Sequence, residues 1–235
     1  MQINLTINGE NKAFEARPGE TLLRLLRREG YFSVRFGSDS GETGAAAVLL
    51  DGKLVSSDIL LAAQADGHTI GTVEGLSRGL SLHPIQEAFV RTGAIQSGYS
   101  TPAMILAAKA LLDKNLNPTE AEVRDALSGV LCRETGYVKP VQAVLEAAAV
   151  GQDFGDLLPP SSLPIDEAGE GQDDLTPELP EGGVQTKRII LPKFIVAPEA
   201  PEMQVVGKSE PKGDALKVVK GNPAFVDDIE LRGML

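Results

Sequence analysis

The chain has 235 residues, 42% of them apolar, and carries 33 acidic against 22 basic side chains for a formal net charge of −11. That length and apolar content support one large or two small domains with their own cores, while the acidic balance excludes a nucleic-acid or anionic-membrane partner, whose phosphates need Lys and Arg to neutralise them. The single cysteine, Cys132, excludes an internal disulfide, "MQINLTINGE" lacks the basic start and apolar run of a secretory signal, and "AMILAAKALL" and "AVLEAAAV" are too short to span a bilayer, so a cytoplasmic protein is expected.

Residues 2 to 7, "QINLTI", alternate polar and apolar, "NGE" supplies an Asn-Gly hairpin turn, and "KAFEAR" alternates again, which predicts an N-terminal β-hairpin. In "RPGETLLRLLRREG", Pro18 and Gly19 make a break, Glu20 is expected in a first turn, and Leu22, Leu23, Leu25 and Leu26 fall on one helical face before a stop at Gly30. A glycine-spaced loop follows, "RFGSDSGETG". After it come two short strands about Asp51-Gly52, a helix expected in "DILLAAQADG" and a last strand expected in "HTIGTVEGL". Two strands, helix, loop, two strands and a closing strand is the β-grasp order.

From residue 83 the period changes. "HPIQEAFVRTG", "TPAMILAAKALLDKN", "PTEAEVRDALSG" and "PVQAVLEAAAV" each space apolar residues three and four apart, with Pro or Thr-Pro near their starts and Gly or Asn at several ends. Four short helices with brief links predict a bundle. Residues 151–185 are rich in acids, prolines and glycines with no Lys or Arg, the composition of a solvated linker. Beyond it "KRIILPKFIV" predicts a strand, and the last residues carry strand and turn signals without enough chain to close a core of their own.

Residues 1 to 150 resemble the iron-sulfur region of the molybdenum hydroxylases, the xanthine dehydrogenase and aldehyde oxidoreductase family. The resemblance rests on "GETG", "LLDGKLV", "TVEGL", "HPIQEAF", "QSGYSTPAMILAAKALL" where the family has Gln-Cys-Gly-Phe-Cys-Thr-Pro, "NPTEAEVRDALSG", and "LCRETGY" where it has Leu-Cys-Arg-Cys-Thr-Gly-Tyr. The tail, "VVGKSEPKGDALKVVKGNPAFVDDIELRGML", resembles the first residues of the family's molybdenum-binding subunit. The resemblance implies an α+β fold: a β-grasp 2Fe–2S ferredoxin-like domain at 1–78, a helical 2Fe–2S-binding-like bundle at 79–150, an acidic linker at 151–185, and an incomplete molybdopterin-binding domain from 186 to 235.

The chemistry departs from that family. A plant-type cluster takes four thiolates, the first three spaced C-x4-C-x2-C, and the resemblance puts those positions at Ser38, Thr43, Ala46 and Asp58. The second cluster's positions are Ser97, Ser100, Cys132 and Glu134. Ala46 has no donor atom, and neutral hydroxyls are harder than the thiolates that such clusters take. Both clusters are therefore expected to be absent, with no cofactor in this chain and molybdopterin in the remainder or in a partner subunit.

Other features have plainer readings. Asp39, Glu42 and Asp58 lack the spacing of a calcium loop and read as solvated acids, a hard-cation site being the alternative. Cys132 reads as a buried, inert cysteine at a helix start, the alternative being a lone reactive thiol. His68 reads as a turn residue and His83 as a helix-start residue. Gln96 occupies the place of the family glutamine that reaches the pterin; it is either that contact or a helix-end glutamine in solvent or in an interdomain contact, and Glu134 stands where the resemblance puts the last cysteine, whose backbone makes the family's other pterin contact.

Three functions compete. The first is a redox-silent structural and docking region of a molybdenum hydroxylase, without catalytic activity of its own, partnered by a molybdopterin-binding domain or subunit and an FAD subunit. The second is an electron-transfer iron-sulfur subunit with unusual ligands. The third is a free-standing β-grasp interaction module.

Overall fold

The computed structural model describes residues 1–77, 81–132, 137–150 and 212–222 together with Phe225 and Asp228. The expected linker at 151–185, the strand expected in "KRIILPKFIV", and Glu134 lie outside the described residues. Among the described residues no helix is long and apolar enough to cross a membrane.

Strands β1 (Gln2–Ile7), β2 (Glu10–Glu15), β3 (Ala47–Leu50), β4 (Lys53–Ser56) and β5 (Thr69–Gly71) form one sheet in the order β2-β1-β5-β3-β4. The central β1–β5 pair is parallel and the other pairs are antiparallel, as the β-grasp order requires. Both hairpins turn on residues with positive φ, Asn8 (52°) with Gly9 (88°) and Asp51 (47°) with Gly52 (76°), the combination that matches the right-handed strand twist. The side chains of the two turn residues then grip β5 and the residue after it. Asp51 accepts from the Thr69 amide at 2.9 Å and meets His68 Nδ1 at 2.6 Å, while Asn8 accepts from the Thr72 amide at 2.9 Å.

Helix α1 (Leu22–Arg28) buries Leu22, Leu23, Leu25 and Leu26 against Ile3, Leu5, Ile7, Val48 and Ile70. Each such burial stabilises by roughly 1.5–3 kcal/mol relative to exposure. Its N-cap is Thr21, so Glu20 lies before the helix and not in its first turn. There Glu20 accepts from the Arg17 amide and pairs with Arg28. The helix expected in "DILLAAQADG" shrinks to a 3-10 turn, Ala62–Ala65, because the preceding backbone bridges Leu61 to Thr21. The closing strand likewise ends at Gly71 and gives way to a 3-10 turn, Val73–Gly75.

Helices α2 (Pro84–Thr92), α3 (Thr101–Leu112), α4 (Glu120–Ser128) and α5 (Val138–Val150) follow as expected. Helix α3 is apolar on almost every side because it is the central element, packed against α2, α4, α5 and strand β3. Helix α4 opens on a Thr119–Glu122 capping box. The tail departs from expectation: 215–219 is not extended but forms helix α6 (Ala215–Val219), whose Ala215, Val218 and Val219 join the core of the four helices. A helix of five residues is too short to hold itself, so that burial is what makes it helical.

Candidate cofactor sites

The glycine loop between α1 and β3 brings two of its four ligand positions together. Ser38 Oγ donates to Asp58 Oδ2 at 3.3 Å, and Ser56 Oγ donates to Asp58 Oδ1 at 2.6 Å. Asp58 is not the solvated acid expected: it is 2% exposed, and these hydroxyls replace the water that its carboxylate has lost. Thr43 folds over Gly37: a Cβ on that glycine would stand 2.1 Å from Thr43 Oγ1, so only glycine fits. Ala46 is fully buried and belongs to the sheet core, and its carbonyl accepts from Ser57 Oγ at 2.6 Å. Ala46 offers the space no donor, and the Asp58 oxygens already accept hydrogen bonds. These residues do not fit a 2Fe–2S cluster.

The second loop, between α2 and α3, is built from its own hydrogen bonds. Ser97 Oγ accepts from the Tyr99 amide at 3.1 Å, and Thr101 Oγ1 donates to the Ser97 carbonyl at 2.7 Å. Ser100 is the N-cap of α3, yet its side chain caps nothing and its buried hydroxyl has no hydrogen-bond partner among the described residues. An orphaned hydroxyl stands where the resemblance puts a sulfur. Cys132 differs from expectation: it is half-buried against the helical core, in a bend ahead of α5 and not at its start. With one thiol for four positions, the second set does not fit a cluster either. Among the described residues no three His, Cys, Asp or Glu side chains gather closely enough to hold a metal ion. Gln96 is exposed, and its carbonyl accepts from Lys212 Nζ at 3.3 Å.

Between the two loops lies a junction that the sequence did not announce. Arg35, three residues before Ser38, is fully buried, and its Nη1 donates to both Asp228 oxygens at 2.7 and 2.6 Å. Arg27 Nη2 reaches the same carboxylate at 2.9 Å. Burial alone would push the Asp228 carboxyl up, but the hydrogen bonds and charges of Arg35 and Arg27 outweigh it and hold it below the usual carboxylate range. The Arg35 guanidinium lies 4.6 Å from the Phe225 ring centroid and 5.9 Å from that of Tyr99, so aromatic faces stand beside a group whose Nε and Nη2 make no hydrogen bond among the described residues. Tyr99 in turn donates its hydroxyl to the Phe36 carbonyl, linking the two loops. An arginine set among apolar residues in "FSVRFG" was the available signal; its acidic partner lies 193 positions away.

Comparison with known proteins gives these loops a lineage. Residues 72–145 match the family of the 2Fe–2S binding domain. The chain is 48% identical over 143 residues to the nicotinate dehydrogenase small FeS subunit of Eubacterium barkeri, a match covering 60% of this chain and 91% of that one. It is 43% identical over 146 residues to the xanthine dehydrogenase iron-sulfur-binding subunit of Escherichia coli, covering 61% and 92%. A probable hypoxanthine oxidase of Escherichia coli is 33% identical over 229 residues, which is 97% of this chain but 20% of that protein. The crystal structure of the aldehyde oxidoreductase from Desulfovibrio desulfuricans superposes with a TM-score of 0.74 at 30% identity, covering 97% of this chain and 22% of that one. Beside these two long chains, this one spans about a fifth of their length. With nine-tenths of two small subunits matched, the chain belongs to the family of iron-sulfur subunits and domains of the molybdenum hydroxylases, the xanthine dehydrogenase and aldehyde oxidoreductase group.

Proposed function

We propose that this chain is a redox-silent structural region of a xanthine dehydrogenase-like molybdenum hydroxylase. It folds and docks against a molybdopterin-binding domain or subunit, and it carries no iron-sulfur cluster. The observation that supports this is the donor set: Ser38, Thr43, Ala46 and Asp58 at one site, and Ser97, Ser100, Cys132 and Glu134 at the other, where two clusters would take eight thiolates. The first set is also occupied within the protein, since Asp58 is held by Ser38 and Ser56. The layout proposed is a sheet domain at 1–78, a helical domain at 79–150, a linker at 151–185 and the start of a molybdopterin-binding domain from 186, in a cytoplasmic enzyme that an FAD subunit completes. Gln96, exposed beside the second loop, supplies an amide toward the pterin of that partner.

The second reading, an electron-transfer subunit, is favoured by the family match over residues 72–145. Metal analysis and an absorption spectrum of the anaerobically purified chain separate the two. The structural reading expects a colourless folded protein with iron far below stoichiometric. Iron near about four per chain, the load of two 2Fe–2S clusters, with visible charge-transfer bands, overturns it in favour of electron transfer.

A further inference from the structure

We propose that the junction between the sheet domain and the helical domain is a receptor groove for a peptide segment, and that residues 212–222 with Phe225 and Asp228 occupy it as a latch that holds by its own contacts.

One wall of the groove comes from the sheet domain, through Arg27, Ser33, Arg35 and Glu74. The other comes from the helical domain, through Gln86, Gly98 and Tyr99. Four anchors seat the segment. Val218 and Val219 are buried in the helical core, and the Val219 carbonyl accepts from Gln86 Nε2 at 2.6 Å, where Gln86 itself is fully buried. Gly221 has φ 77° and lies so near the sheet domain that a Cβ on it would stand 2.8 Å from Ser33 Cβ and 2.9 Å from Glu74 Cδ. Phe225 sits over Gly98, where an added Cβ would come within 2.6 Å of the ring. Asp228 closes the set between Arg27 and Arg35, with its side chain 4% exposed.

The groove therefore reads a defined pattern: an apolar pair, a glycine two residues on, an aromatic four residues after that, and a carboxylate three residues further. None of these contacts uses the chain that joins Val150 to Lys212. A connection of that length supplies an effective concentration of about millimolar at most, whereas a buried carboxylate between two guanidiniums and a buried amide contact supply affinity that outlasts the connection. The groove fits a segment of this pattern whether it arrives on the same chain or on another, and it does so whether or not iron binds the loops.

The test uses the full chain with a site-specific protease sequence introduced between residues 170 and 180. After complete cutting, judged on a denaturing gel, the C-terminal fragment is expected to co-elute with the rest at micromolar concentration. Asp228→Ala is expected to weaken retention on the order of 100-fold. Separation of the wild-type fragment overturns the proposal, as does equal retention in the variant. Amide exchange on the uncut chain gives a second reading that needs no cleavage. Faster exchange at Lys220, Gly221 and Asn222 in Asp228→Ala, with the β1 and β2 amides unchanged, supports the latch; unchanged exchange at those three residues overturns it.

Discussion

The Ser38 hydroxyl donates to the Asp58 carboxylate across 3.3 Å, tying the glycine loop to the residues that follow β4. Ser56 holds the other oxygen of the same carboxylate at 2.6 Å. A cross-link made of hydrogen bonds thus spans two positions that, in the resembled family, a metal cluster would join.

Removing that cross-link has a defined cost. Asp58→Ala leaves two part-buried serine hydroxyls without their acceptor, and the expected loss is about 1–3 kcal/mol of stability. Asp58→Asn, which keeps one acceptor oxygen, loses less. Thermal unfolding measures both; an Asp58→Ala protein that melts with the wild type would show that the loop is held by its backbone alone.

Ser100 predicts a gain. Its buried hydroxyl has no partner among the described residues, so Ser100→Ala is expected to raise stability by about 1 kcal/mol, having removed a desolvated polar group with little change in volume. In urea the midpoint should rise with an unchanged slope. A lower midpoint would mean that the cavity outweighs the hydroxyl.

His83 predicts a pH dependence near neutrality. Its ring Nδ1 accepts from the Ile85 amide at 3.3 Å as the N-cap of α2, which requires the neutral ring. Burial first, and then the positive charge of Lys109, hold its pKa below the ordinary histidine value, against a smaller opposing effect of Asp113. The folded state therefore resists protonation more than the unfolded chain. Its stabilisation is complete above about pH 6.5 and declines as pH falls from there through the lower folded value. Denaturant titrations from pH 8 to 5 should show this decline, and His83→Asn, a good cap that does not titrate in this range, should flatten it.

Asp228 predicts a second acidic window. Burial raises its pKa, but Arg35 and Arg27 lower it more, so its contribution is present above about pH 3.9 and is lost as pH falls through the depressed folded value. At pH 7, Arg35→Met leaves the carboxylate one guanidinium short and should cost about 3 kcal/mol. Chemical denaturation measures it; a loss below about 0.5 kcal/mol, the range of surface substitutions, would show the pair to be solvent-like.

Local patterns were legible in the sequence, and distant pairings were not. Asn8-Gly9 and Asp51-Gly52 announced both hairpin turns, and the leucines of α1 announced its buried face, because each signal lies within a few residues. The apolar spacing of "DILLAAQADG" misled: Ile59 and Leu61 stay 61% and 41% exposed, since the backbone there bridges to Thr21 instead of coiling. The ligand positions could be placed by resemblance, but the bond from Ser38 to Asp58 could not. Nor could the pairing of Arg35 with Asp228, or the helical state of 215–219, which neighbours in the fold impose on a segment with no strong preference of its own.

Strand β3 presents Val48, following Ala46, to the core that holds α1, and Ala47 and Leu49 to the core that holds the four helices. It is a party wall, and neither room stands without it. The two regions should therefore melt in one cooperative step, and a cut between them should leave each half with an uncovered apolar face. The wall also begins where the glycine loop ends. Protein on both sides keeps the loop's exit in register, so a substitution inside the loop leaves what the loop is attached to in place.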